Sequence, residues 1–401
     1  MRFVKLTTLF LQASIIVSFL AGSIAPTPLY VVYQAAWRFS PITITVIFGV
    51  YAIAVLLSLL LFGSLSDYIG RKPVLIATLL VQLFAMALFA IAKGVPSLLV
   101  ARVVQGLATG AAAGAVGAGM LDIDRPKGTI ANAVAPALGT ASGGLLSGVF
   151  VQYLPAPTQL IYLSLGAVFI LQVVLVLFMP ETVTRRAGAL ASLRPHLSVP
   201  PHIRGSLVIA APALIGTWAL AGFYGALGPS IVRKLSGSHS LVLGGLVVFA
   251  FAGTGALVTF LSRSQTASRV MQLGAVALFV GVALALFAIA RRSTPWFFVA
   301  SVVAGAGFGG GFQGAIRTVV PLASPNERAG VLSVVWILAY LSMAVPAVLG
   351  GFRIAHVGLP SGAHEYGLAV MALAALALAG SLWRRRDSRA RSPTGVNERA
   401  G

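Results

Sequence analysis

The chain has 401 residues, of which 58% are hydrophobic and only 9% charged, and it carries a formal net charge of +20. A soluble domain devotes about 25% of its residues to charge, so a large water-soluble helical core is excluded. Disulfides and thiolate metal sites are excluded as well, because there is no cysteine. The bases are strung along the chain rather than gathered on one folded face, which argues against a nucleic-acid surface.

The few charges divide the sequence into long uncharged stretches: 6–37, 39–66, 73–92, 103–121, 128–180, 205–232, 235–262, 270–290, 293–316, 329–352 and 366–383. A helix needs about 20 apolar residues to cross the hydrocarbon core of a bilayer. Each stretch therefore predicts one span, and 128–180 predicts two with a turn near Pro155 and Pro157, so the expected architecture is an all-α integral membrane protein of twelve spans. Residues 1–24 resemble a secretory leader, but the uncharged run continues past Ala36 and eleven more spans follow, so a retained first helix is expected. Pro26 and Pro28 should kink or end it.

Twelve spans put both ends on one side. With both ends inside, the inner segments hold 20 of the 28 bases and the outer segments 7, while Arg102 falls within a span. Cytoplasmic termini in a cell membrane follow from the positive-inside rule, with anionic lipid head groups as partners of the inner bases. The longest polar interval, 181–204, reads as an inner linker between six spans (1–180) and six more (205–383), with a basic tail at 384–401. Two faint echoes join the halves. Residues 101–110 match 300–309 at five of ten positions, an offset of 199, and Gly63, Leu65 and Arg71 match Gly255, Leu257 and Arg263 at an offset of 192.

The loop after the second span reads Gly63-Ser-Leu65-Ser-Asp67-Tyr-Ile-Gly70-Arg71-Lys72. It resembles the loop between the second and third helices of major facilitator superfamily transporters, Gly-x-Leu-x-Asp-x-x-Gly-Arg-Lys/Arg, with all six positions filled. The resemblance implies two pseudo-symmetric six-helix bundles that work by alternating access. It also implies a conformational latch made of Gly63, Asp67, Gly70, Arg71 and Lys72, in which Asp67 meets the start of the eleventh span in the outward-open state. A plainer role for Arg71 and Lys72 is to set orientation, and for Gly70 to make the turn. In the fourth span Arg102, Gln105 and Gly106 fill the family's Arg-x-x-Gln-Gly pattern, a coupling or cavity charge in relatives. The alternative is that Arg102 snorkels to the surface.

In the fifth span, Gly139, Gly143, Gly144 and Gly148 resemble the antiporter pattern, with Gly144 in place of its proline. This supports an efflux-like branch, although small residues also serve plain helix packing. The family's geometry puts Tyr30, Tyr33, Gln34, Trp218, Tyr224 and Gln313, with Trp336 and Tyr340, among candidate substrate-lining residues. Interfacial anchoring is the alternative for the aromatics. All five histidines are expected in loops, and no acid falls in the middle of a span. The usual proton relay therefore lacks a titrating group, so a proton is an uncertain partner beside the small-molecule substrate. No phosphate-binding loop is present, and no cofactor, metal or catalytic group is expected. The sequence reads as a monomeric secondary transporter, with facilitated or uptake carriage as the alternative within the fold and an intramembrane enzyme or a channel as alternatives outside it.

Overall fold

The computed structural model describes the backbone of residues 2–390 and the side chains of residues 5–383, so the expected basic tail at 384–401 lies outside the described side chains. Every described element is helical. The first span is α1 (Arg2–Ile24) and α2 (Pro26–Trp37), followed by α3 (Pro41–Phe62), the short α4 (Ser66–Ile69), α5 (Arg71–Ala90), α6 (Val95–Ile123), α7 (Arg125–Tyr153) and α8 (Leu160–Leu177). After a stretch with one 3-10 turn (Ala191–Leu193) come α9 (Pro201–Ser236), α10 (Leu241–Leu261), α11 (Ala267–Ala290), α12 (Thr294–Val319), α13 (Arg328–Val357) and α14 (Leu359–Ala390). Among the described residues, twelve helical segments are long and apolar enough to cross a membrane. The face that carries α4 and residues 178–200 is called the linker face below, and the opposite one the far face.

The packing of the first six spans is repeated by the last six. α6 lies on α3 as α12 lies on α10, and α1 on α7 as α9 on α13. α5 touches α6 and α8 as α11 touches α12 and α14. The sequence echo at offset 199 has its cause here. A side chain at Gly106 would run into the Tyr51 carbonyl at 2.7 Å, and one at Gly110 into that of Val55; Gly305 and Gly309 press in the same way on the carbonyls of Phe251 and Gly255. Only glycine allows backbones so close. The echo at offset 192 is not a repeat in space. Gly63 ends α3, whereas Gly255 lies inside α10 against Gly309. Short glycine- and leucine-rich runs coincide easily in a chain of this composition.

The halves join along two seams related by the same repeat, α7 on α10 and α3 on α13. On α7, a Cβ at Gly144 would come within 2.9 Å of Val248 and one at Gly148 within 3.2 Å of Val242, and Gln152 Oε1 accepts from the Leu241 backbone N–H at 2.9 Å. On α3, a Cβ at Gly49 would come within 3.1 Å of Val348, and Thr45 lies against Gly351. These contacts use the last turns of α7 and α13 and the first turns of α10 and α3, all toward the far face.

Several helices overrun the uncharged stretches. α9 has 36 residues, about 54 Å at 1.5 Å per residue, against about 30 Å of hydrocarbon. His202, His356 and His364, expected in loops, accordingly stand near the ends of α9, α13 and α14.

The repeat predicts matched sensitivity. Gly110→Val and Gly309→Val should each lower the thermal midpoint in detergent, since forced overpacking costs about 1–3 kcal/mol. A neutral effect in both would contradict the close-approach assignment.

Candidate functional site

Three clusters hold the chemistry. The first is the linker-face loop. Gly70 sits at φ +104°, a conformation that favours glycine, and a side chain there would also strike the Glu181 carboxylate. That carboxylate caps the start of α5. Its Oε1 accepts from the Arg71 N–H at 2.9 Å and its Oε2 from the Lys72 N–H at 3.0 Å, which satisfies two donors a helix start leaves open. Burial alone would raise the Glu181 carboxyl, but backbone N–H donors of Arg71, Lys72, Val183 and Thr182 outweigh it and hold the group below the usual glutamate range.

Arg71 is buried beneath this cap. It pairs with Asp67, donates from Nε to Asp122 Oδ2 at 3.1 Å and from Nη1 to Ser66 Oγ at 2.7 Å. Lys72 Nζ donates to the Leu177 carbonyl at 2.5 Å, and Arg186 Nε to the Asp67 carbonyl at 3.0 Å. Ser64 Oγ donates to the Ser192 carbonyl at 3.2 Å. Each of these bonds stays within the first six spans or the segment after them. The start of α13 has other partners: Glu327 accepts from the Ser324 N–H at 3.0 Å and lies 3.8 Å from His202 Nε2, and Gly330 packs on Ser198. Asp122 and Glu181 were missed from sequence. The available signal was that two of only eight acids flank this loop at the ends of spans four and six.

The second cluster surrounds Arg102, which has no exposed surface, so it does not snorkel. Its environment follows from the broken first span. Pro26 has no N–H to return to the Gly22 carbonyl, and that carbonyl accepts instead from Gln105 Nε2 at 2.9 Å. The neighbouring Ser23 carbonyl accepts from Arg102 Nη1 at 2.6 Å, and the Ala25 carbonyl from Ser147 Oγ at 2.6 Å. Arg102 also donates to the Tyr30 hydroxyl and, at 2.8 Å, to Gln105 Oε1, and lies 5.2 Å from the Tyr51 ring centroid. Among the described residues no carboxylate pairs with it; carbonyls, a phenol and ring faces offset its charge.

The third cluster is aromatic. Trp218 of α9 meets Tyr340 at 4.9 Å, Phe312 at 5.3 Å, Trp336 at 6.0 Å and Phe308 at 6.5 Å between ring centroids. The Trp218 Nε1–H is buried without a hydrogen-bond partner among the described residues, a state that costs about 1–3 kcal/mol. Three of the expected lining residues thus come together, with Phe308 and Phe312 added. Phenylalanines in a chain with 22 of them give no distinguishing signal in sequence. The other expected residues lie apart. Tyr30 is held by Arg102, Tyr33 donates to the Tyr162 hydroxyl at 3.2 Å, and Tyr224 stacks on Phe251 at 4.5 Å. Gln313 accepts from Ser262 at 2.7 Å near the linker face, and Gln34 donates to the Phe39 carbonyl at the far face. Of the glycines of α7, Gly139 and Gly143 press on Val17 and Ala21 of α1, while Gly144 and Gly148 press on α10.

The family model of the Major Facilitator Superfamily matches residues 11–344. Citrate exporter 1 of Aspergillus niger is 33% identical over 150 residues, which cover 36% of this chain and 28% of that protein, so the match spans well under half of the relative. Two solved structures share the fold. A bacterial homologue of the human lysosomal transporter Spinster, inward-facing and unoccupied, gives a TM-score of 0.76 at 12% identity, covering 96% of this chain and 98% of that one. The human organic anion transporter MFSD10 gives 0.66 at 17%, covering 94% and 98%.

The Glu181 cap predicts a pH signature. Its folded pKa is depressed, so its contribution is complete above the ordinary value of about 4.3 and drains away as pH falls through the lower folded value. Hydrogen exchange should show protected Arg71 and Lys72 amides at neutral pH, and about tenfold less protection in Glu181→Gln. Equal protection in both would overturn the cap.

Proposed function

Because the chain belongs to the Major Facilitator Superfamily, we propose that it is a secondary transporter moving a small organic solute by alternating access, with residues 1–180 and 205–383 rocking about a site midway through the membrane. The observation that carries this reading is the pair of repeat-related seams near the far face. Two equivalent seams on one side are what a rocking pair of bundles needs to seal that side while the other opens.

The surplus of bases on the linker side supports a cytoplasmic linker face, and on that reading the joined far-face seams correspond to an inward-open form. Asp67, Arg71 and Lys72 form the latch. In the form described here Asp67 is drawn to Arg71, and in the outward-open form its carboxylate engages the start of α13, where the helix dipole favours an anion. Arg102 fixes the broken first span and lends a positive potential to the interior. The aromatic cluster forms one wall of the solute site. Its unpartnered indole N–H suits a substrate that joins an apolar, planar body to a hydrogen-bond acceptor. Export is favoured by the glycine pattern of α7 and by the name of the fungal relative. A second reading, uncoupled facilitated carriage, is favoured by the acids: all six whose side chains are described stand near span ends or in loops.

Transport by inverted vesicles, run over a panel of organic solutes with and without a pH gradient, tests the assignment. Trp218→Phe keeps a smaller aromatic ring and deletes the donor, so KM should rise about tenfold with kcat unchanged. Asp67→Asn should slow turnover and leave KM alone. An ohmic conductance, or a KM untouched by Trp218→Phe, would reject the carrier reading or the site respectively.

A further inference from the structure

Just outside the far-face seam lies a cleft of about 410 Å³ whose walls come from both halves. α2 supplies Gln34, and the end of α9 with the turn after it supplies Ser230, Arg233, Lys234, Ser238 and His239. No acid lines it. Neither the Arg233 nor the Lys234 side chain has an ion-pair or hydrogen-bond partner among the described residues. The far-face segments contain a single acid, Glu365, and Arg353 occupies it through two hydrogen bonds. The cleft therefore keeps its full positive charge, with hydroxyl and amide donors around it.

A plainer role for the two bases is to complement the α9 C-terminus, where cations are favoured. That role explains a charge at the helix end. It does not explain why both border a concavity closed on the other side by the first half of the chain. The volume lies within the range of small-molecule sites, about 300–1,000 Å³, and paired cations with hydroxyl donors match an oxyanion.

We propose that this cleft binds a phosphate-type oxyanion, either a soluble phosphate or a lipid phosphate head group, bridging α2 and α9. On the alternating-access reading, which this consequence rests on, the site exists only while the far face is shut. Its ligand therefore holds the inward-open form, and excess ligand on that side slows turnover.

The test uses the full chain in nanodiscs of neutral phosphatidylcholine, titrated with inorganic phosphate and followed by thermal midpoint. Phosphate should stabilise the parent protein. Arg233→Gln/Lys234→Gln should bind at least about tenfold more weakly, while Arg291→Gln/Arg292→Gln, a base pair elsewhere on this face, should match the parent. Lys234→Gln alone, at an exposed position, should give a partial loss if the double variant folds poorly. Nanodiscs with phosphatidylglycerol separate the sources. Stabilisation by that lipid, lost in the double variant and displacing phosphate, assigns the head group; phosphate stabilisation unchanged by it assigns the soluble ion. Failure of both phosphate and phosphatidylglycerol to stabilise through Arg233 and Lys234 overturns the site. Binding without slowed turnover would keep the site and remove the link to rocking.

Discussion

A backbone immersed in hydrocarbon must find its hydrogen-bond partners within the protein, and the first span breaks that economy at Pro26 and Pro28. Pro26 leaves the Gly22 carbonyl without its helical donor, and around the break three carbonyls, those of Gly22, Ser23 and Ala25, accept from side chains: Gln105, Arg102 and Ser147. Two of them stand on α6 and one on α7, so repairing the break fixes three helices relative to one another. α7 then works on two faces. Gly139 and Gly143 hold it to α1, while Gly144 and Gly148, about one turn along, hold it to α10 in the other half. The polar repair in the first half and the seam between halves are thus carried by one helix.

The halves repeat in backbone but not in chemistry. The first keeps polar groups at its centre: Gln12, Gln82, Gln105, Gln172 and Arg102 are all buried. The second answers with rings, from Trp218 and Tyr340 at its centre to Tyr224 stacked on Phe251. Burying a charge without a carboxylate is costly unless hydrogen bonds and ring faces compensate it, and Arg102 has both. On the proposed reading, a solute between the halves would lie between a half with a buried positive charge beneath its surface and one with an aromatic cluster that carries an unpartnered N–H.

Much of this was readable in the chain itself. Span count follows from a length constraint that the bilayer imposes on any helix, so uncharged stretches were sufficient. The loop at residues 63–73 was readable because its charges and turn glycines interrupt apolar runs. Helix ends were not, because a helix extends past the hydrocarbon into the head groups, as α9 does, without any change in periodicity. Nor were long-range partners: nothing local to Glu181 says that it caps α5, 110 residues earlier. The candidate lining divided for the same reason. Tyr30 and Trp218 look alike in sequence, yet one is committed to a buried arginine and the other keeps its donor free.

The central claim is that the far-face seams must part for transport to occur. A Cβ at position 49 would lie 4.0 Å from that of Ala344 across the α3–α13 seam, inside the range of about 3.5–4.5 Å that a disulfide requires. The chain has no cysteine of its own, so Gly49→Cys/Ala344→Cys reports without background. Oxidation should form the bond and stop solute flux, and a reductant should restore it. Undiminished flux through the fully oxidised pair would contradict the account.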